Sequence, residues 1–425
     1  MEHIFSASAD IELPSSRRSC WPAILRYNPF LPPQMYNVSP DTPANPVDVC
    51  YISTEKLPWK ALNCSSTLQF GKMSLPLRMP KALLLQSKQG SLAVGTIDVP
   101  KAGPGELLVK TESTALNPAD WKVQSYGIFV TDYPAVLGGD AAGIVEEVGE
   151  GVSGFAVGDR VLTEGNIDNA HATFQQYFIA VADITAKIPN NISFDHAASL
   201  PACVVTAVLG LFNQDDPAKS AALTPFWEES GKGKYVGKPI VVFGGATSVG
   251  QYVIQVAKLA GFSPIIGTAS LHNTDLLKFF GATHVLDRKL SASELVAAVG
   301  KITSAPVELV YDTVSESDTQ NAAYDVVAPG GTLVIVLQEA IDSAKKVAEK
   351  KVVHVYGSGH AAQNRKTAAS FFSRFTALLE QGAIKPNRVE VLPNGLAGIV
   401  DGLERLKNNQ VSGLKLVAHP QEGTA

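Results

Sequence analysis

Gly244, Gly245, Thr247 and Gly250 fall in the run Ile240-Val-Val-Phe-Gly244-Gly245-Ala246-Thr247-Ser248-Val249-Gly250. A glycine-rich turn of this kind, set between an apolar run and an amphipathic segment, is suited to hold an anion. The residues that follow, Gln251 to Gly261, place Val253, Val256, Ala257 and Ala260 at helical spacing with Val249. The turn therefore opens a helix whose first N–H groups and dipole favour a pyrophosphate. Against G-x-G-x-x-G the match is partial, because Gly245 and Gly250 hold the first and third places and Thr247 the second. Gly245, Ala246, Thr247, Ser248, Val249 and Gly250 are accordingly the expected contacts of a dinucleotide.

The choice between NAD and NADP falls about 20 residues past the last glycine, where an acid would bind the ribose 2′-hydroxyl. Here the chain reads Thr268-Ala269-Ser270-Leu271-His272-Asn273, with no carboxylate before Asp275. Ser270, His272 and Asn273 can donate hydrogen bonds to a 2′-phosphate, and Arg288 can add the charge they lack. This composition favours NADPH. The plainer reading is that Ser270 and Asn273 cap a helix.

These residues need a scaffold, and the surrounding sequence supplies one. A second strand is expected from Pro264 to Thr268, then a helix near Asn273 to Phe280 that stops at Gly281. Further apolar runs at His284 to Leu286, Val307 to Tyr311, Thr332 to Leu337 and Val352 to Tyr356 are separated by helical patterns. Strands alternating with helices predict an α/β fold with a doubly wound parallel sheet. Ahead of it, from Lys81 to Pro201, the apolar runs are short and turn-rich, as in Leu107 to Thr111, Ala141 to Val148, Arg160 to Leu162 and Tyr177 to Val181. That spacing predicts an irregular, mostly antiparallel β domain with few helices.

Several motifs in this first part carry a resemblance. Asn117-Pro-Ala-Asp120-Trp121-Lys122, Pro134-Ala-Val-Leu-Gly138-Gly139-Asp140-Ala-Ala-Gly143, Val157-Gly-Asp-Arg-Val161, Ala198-Ser-Leu-Pro201 and the ending Val411-Ser412-Gly413-Leu-Lys415-Leu-Val417 occur in order along the chain. In order and spacing they resemble the medium-chain dehydrogenase/reductase superfamily. The resemblance runs from about Met79 to Pro420. It implies a GroES-like catalytic domain (79–201 and 361–425) and a Rossmann domain (202–360), with the active site in the cleft between them. A helix from Thr367 to Gln381 and strands near Val389 to Leu392 and Leu414 to Ala418 would complete the first of these.

Zinc-dependent members of that superfamily use a cysteine in the first motif and a histidine–glutamate pair in the second. Those positions hold Asn117 and Gly139-Asp140 here, which are poor replacements for thiolate and imidazole ligands. The four cysteines, Cys20, Cys50, Cys64 and Cys203, are too scattered for a structural knuckle, and Cys203 is expected to pack in the core. No metal is therefore expected. Without a Lewis acid the substrate needs its own activation, which a conjugated double bond provides. The chain is thus similar to the zinc-independent quinone oxidoreductases and, in Asn117-Pro-x-Asp-Trp-Lys122, Ser270-x-His-Asn273 and the insertion Gln214 to Gly237, to fungal trans-acting enoyl reductases of secondary metabolism. The Val249-Gly250 ending of the turn is that of quinone-reductase-like members, which weighs against a polyketide-synthase partner.

The resemblance implies NADPH-dependent reduction of an enone, enoyl thioester or quinone, in which an enolate oxygen must be stabilised. Lys122 is the candidate donor, with Asn117 orienting nicotinamide or substrate and Tyr126 sharing the work. Thr206, Asp120, Ser412 and Gly413 are candidate cofactor contacts. The bland alternatives are that Lys122 meets only phosphate or solvent, that Asp120 caps a short helix at Trp121, and that Thr206 is plain helix packing. A metal-free aldehyde or ketone reductase and a non-catalytic NADPH-binding sensor or assembly partner are the competing functions.

At 425 residues, 45% hydrophobic and 18% charged, the chain has the composition of a packed protein large enough for more than one domain. A net charge of −5 without a basic cluster argues against a nucleic-acid binder, and no apolar run is expected to reach the length of a membrane span. Few cysteines suit a reducing, cytoplasmic setting. The expected partner is a small-molecule substrate, the chain acting as monomer or homodimer. Residues 1–78 read as a proline-bearing, disordered extension, with Met73 as an alternative start.

Overall fold

Short, largely buried runs build the first part of the chain as sheet. The computed structural model describes residues 79–423, so the expectations for residues 1–78 lie outside the described residues. Strands β1 (Lys81–Leu85) and β2 (Leu92–Thr96) are followed by β3 (Glu106–Ala115), helix α1 (Pro118–Tyr126), β4 (Ala135–Val136), β5 (Asp140–Val148), β6 (Arg160–Glu164), β7 (Tyr177–Val181), β8 (Thr185–Lys187), α2 (Phe194–Ala198) and α3 (Pro201–Phe212). β2, β1 and β4 make a small antiparallel sheet. Antiparallel pairing joins β3 to β5 and β7, β5 to β6, and β6 to β8.

α1 is longer than the short helix expected at Trp121. Pro118 begins it with a fixed φ, the Asp120 carboxylate accepts the Asn117 N–H at 2.7 Å, and Gly127 ends it in the left-handed region at φ 62°. Local start and stop signals thus extend the helix over a segment whose apolar pattern is weak.

The second part alternates strand and helix up to its last two strands. It contains β9 (Ile240–Phe243), α4 (Ser248–Ala260), β10 (Ile265–Ala269), α5 (Thr274–Phe280), β11 (His284–Asp287), α6 (Ala292–Ile302), β12 (Leu309–Asp312), α7 (Ser317–Val326), β13 (Thr332–Ile335) and β14 (Lys351–His354). β14 follows β13 with no α-helix between them, unlike the helical pattern expected there. The six strands are all parallel, in the order β11-β10-β9-β12-β13-β14. This is a doubly wound sheet whose order reverses between β9 and β12, and the crevice beyond the carboxyl ends of those strands is where such sheets bind ligands.

The chain then closes with α8 (Ala362–Glu380), β15 (Val389–Val391), α9 (Gly395–Lys407) and β16 (Lys415–Ala418). β16 pairs antiparallel with β3, Val417 facing Ala115, and carries β15 on its other edge. The larger β-rich sheet accordingly runs β15-β16-β3-β5-β6-β8, with β7 on β3. α8 starts ahead of the expected Thr367 because buried Asn364 donates to the Tyr356 and Ser358 carbonyls and fixes the preceding loop. Its Phe371 and Phe375 join Val204, Phe212, Tyr252 and Val253 in one buried cluster that spans both parts. The insertion Gln214 to Gly237 is anchored there too: Phe226 and Trp227 pack edge-on against Phe212, and the Trp227 Nε1–H donates to Ser370 Oγ at 3.0 Å.

One composition-based expectation is corrected. Phe194–Phe212, covering α2 and α3, is long and apolar enough to pass as a membrane span, yet 72% of its best window is buried inside the protein. It is apolar all round because it lies in the core.

Candidate active site

The turn after β9 is shaped by close backbone approach. Gly244 has φ 70°, and a Cβ there would lie 2.5 Å from Val314 Cγ2. A Cβ on Gly250 would collide with the Gly244 carbonyl oxygen, so α4 can start this near the strand only with glycine at that place. Thr247 stands where the motif has its second glycine because it caps α4: its hydroxyl accepts the Gly250 N–H at 2.9 Å and bonds Thr313 Oγ1 at 2.8 Å. The Ala246 carbonyl accepts from Gln251, Val249 packs on the core, and Gly245 lies against Leu277.

At the carboxyl end of β10, Ser270 and Asn273 both occupy N-cap positions, but neither side chain makes the capping hydrogen bond. Ser270 Oγ instead accepts from Arg288 Nε at 2.8 Å, and exposed Arg288 makes no ion pair among the described residues. Asn273 Nδ2 lies 3.2 Å from His272 Nε2 and donates to Ser412 Oγ at 3.2 Å, while Gly413, at φ 69°, leaves room for the Asn273 side-chain oxygen Oδ1. The segment leading into β16 therefore touches this corner. Thr206 on α3 donates to the Ala202 carbonyl at 2.7 Å and abuts Gly357, just after β14, so closely that a Cβ there would strike it.

Asn117, the first residue of the Asn-Pro-x-Asp-Trp-Lys motif, does not open toward solvent. It is buried in a polar cluster that sequence reasoning did not assemble. Lys415 Nζ donates to Asn117 Oδ1 at 2.5 Å and to Asp140 Oδ2 at 3.0 Å, and lies 3.1 Å from Cys203 Sγ. Asp140 also accepts from Asn117 Nδ2 at 2.7 Å and from the Ala202 N–H at 2.6 Å. Burial alone would lower the Lys415 ammonium, but Asp140 and the Cys203 sulfur outweigh it and hold it raised. Burial keeps Cys203 a thiol, so Asp140 is the counter-charge, and Ser248 at the start of α4 bonds the same sulfur. Asp120 lies beside this cluster with its carboxyl raised to about 7, mainly by burial. Its hydrogen bonds go to the Asn117 and Gly138 backbone, so it serves the start of α1.

Lys122, two residues further along α1, is half-buried and lies 5.5 Å from the Trp121 ring centroid. Burial lowers its ammonium, while Glu316, in the loop after β12 on the other part of the molecule, favours the charged form. Tyr126 is 57% exposed and meets Trp121 edge-on at 5.8 Å, away from the buried cluster. Lys122 is thus half-buried and within electrostatic reach of Glu316, Asn117 is buried, and Tyr126 lies at the surface.

Glu164, at the end of β6 opposite Asp140, was missed as well. Its carboxylate accepts the Gly359 N–H at 2.9 Å, and its carbonyl bonds His360. Burial raises the carboxyl from 4.5 to about 8. A folded-state value above the unfolded one gives stability that is complete below pH 4.5 and lost as pH rises through 8. Glu164→Gln should therefore flatten the fall of Tm between pH 5 and 8.5, since an amide still accepts from Gly359; an unchanged slope in calorimetry would show that this carboxyl is not held neutral.

Comparison with known proteins places these features in context. Residues 103–190 match the alcohol dehydrogenase GroES-like domain and residues 248–374 the zinc-binding dehydrogenase family. A trans-enoyl reductase of Alternaria alternata is 34% identical over 351 residues, covering 79% of this chain and 98% of that protein. Another, from Aspergillus japonicus, is 31% identical over 343 residues, covering 78% and 94%. Among solved structures, an alcohol dehydrogenase superfamily protein of Novosphingobium aromaticivorans aligns with TM-score 0.66 at 23% identity, over 80% of this chain and 99% of its own. A mycobacterial protein solved in complex with NADPH aligns with TM-score 0.63 at 25% identity, over 80% and 100%.

Proposed function

The chain belongs to the medium-chain dehydrogenase/reductase family, as an oxidoreductase of the enoyl and quinone reductase type, and from that premise we propose that it reduces an activated C=C bond with NADPH. The observation that carries the coenzyme reading is the corner at Ser270, His272, Asn273 and Arg288. Its polar side chains cap no helix, no carboxylate occupies the ribose position, and an exposed guanidinium is held over it by Ser270. The start of α4, with Gly244 and Gly250 allowing close backbone approach, suits the pyrophosphate. When bound, the reduced nicotinamide supplies the hydride.

The protein's own residues then have to bind the acceptor and manage its charge. A carbonyl conjugated to the double bond gains negative charge on oxygen as the β-carbon is reduced, and a preorganised donor lowers that cost. Lys122 is suited to donate there, because partial burial strengthens its field, and Glu316 opposes the loss of its proton that burial favours. Asn117 acts at a distance, as the inward-facing start of the helix that carries Lys122. Fungal secondary metabolism is the setting implied by the resemblance of Asn117-Pro-x-Asp-Trp-Lys122 and Ser270-x-His-Asn273 to fungal trans-acting enoyl reductases.

The test is coenzyme oxidation against a panel of enones, enoyl thioesters, quinones and saturated aldehydes, with product mass recorded. A product gaining two hydrogens with its carbonyl intact supports this reading, whereas an alcohol from a saturated carbonyl sinks it. Arg288→Ala should weaken NADPH binding by about tenfold or more while changing NADH binding little, the signature of a lost phosphate contact; equal losses for both would remove Arg288 from the phosphate.

A further inference from the structure

The positions that correspond to catalytic zinc ligands converge in this chain on an atom of the chain itself. Asn117 and Asp140, from the first and second motifs, meet Cys203 around Lys415 Nζ, at 2.5, 3.0 and 3.1 Å. All four side chains are more than nine-tenths buried. The donor set does not fit a metal ion. Zinc wants several anionic or imidazole ligands, whereas this centre offers one carboxylate, one neutral amide and a protonated thiol, and the ammonium fills the point where they meet. Among the described residues no group of three His, Cys, Asp or Glu side chains is gathered for a metal.

We propose that Lys415 is an internal cation occupying the centre where zinc-dependent relatives hold their metal, and that it works as a positioning residue for α1. Its ammonium ties β16 to Asn117, the N-cap of the helix bearing Lys122, to β5 through Asp140, and to the start of α3 through Cys203. Three elements distant in sequence are thereby fixed by one charge. The centre has a net charge of zero, with Lys415 and Asp140 cancelling, so it fixes geometry without the field of a divalent ion. A metal would have to displace a hydrogen-bonded ammonium and also deprotonate the thiol.

Zinc uptake tests this without any substrate, so failure here and failure of the reductase reading are separable. The full chain is stripped with chelator, offered one to two equivalents of zinc, desalted, and its metal content measured. The wild type should retain none. Asn117→Cys/Lys415→Ala, which replaces the amide by a thiolate and removes the ammonium, should retain about one equivalent, lost again on adding Cys203→Ser. Wild-type zinc that disappears in Cys203→Ser or Asp140→Asn would overturn the proposal, as would a folded double variant that takes up none. If that variant does not fold, thermal melts of Lys415→Met, Asp140→Asn and their combination decide: a combined Tm loss smaller than the sum supports an internal ion pair, and additive losses overturn it.

Discussion

Lys415→Met should lower the free energy of unfolding by about 3–5 kcal/mol, because it leaves a buried carboxylate without its cation. Methionine approximates the volume of the lysine stem, so the loss is one of charge and not of packing. Asp140 would retain only the Asn117 Nδ2 and Ala202 N–H donors, both neutral. The buried alternative is cheaper when both charges go, and Asp140→Asn added to Lys415→Met should recover a large share of the loss. Urea unfolding at fixed m-value measures this; a single-variant loss under about 1 kcal/mol would mean that the pair is no better than a surface ion pair.

Lys122→Ala should reduce kcat for enone reduction at least about tenfold, equivalent to about 1.4 kcal/mol of transition-state stabilisation. NADPH affinity should change little, since α1 lies in the β-rich part and the nucleotide turn and ribose corner are built from the other. The expected pattern is a loss in kcat and kcat/KM together, the mark of an interaction made mainly in the transition state. A kcat equal to that of the wild type would remove Lys122 from the chemistry, and a fall in NADPH affinity alone would make it a phosphate contact.

What could be read from the sequence was local. The β9–α4 unit is legible because its strand, turn and helix follow within about 20 residues and every position answers to a short-range rule. Thr247 is an instructive case: as a motif match it counts against the site, while as a helix cap it is what the turn needs. The buried centre was not legible for the opposite reason. Lys415 and Asn117 are 298 positions apart, and a lysine in Leu414 to Ala418 reads as a solvated residue of an edge strand until β16 is placed between β15 and β3. Glu164 gave no warning either, since its burial comes from Gly359 and His360, which arrive only when the chain returns from the doubly wound part. Tyr126 shows the converse limit: spacing on a helix relates it to Lys122, but the helix turns it outward beside Trp121.

The pairing of β16 with β3 also has a consequence for synthesis on the ribosome. β3 emerges about 300 residues before β16 covers the Thr114–Ala115 end of one of its edges, the rest of which pairs with β7, and Asp140 waits nearly as long for its cation. The doubly wound part, whose strand pairings are nearer in sequence, can be complete while the β-rich part still lacks its last strand. A nascent chain truncated before Lys415 would therefore present the uncovered end of a sheet edge and an unneutralised acid together, a combination that invites quality-control factors.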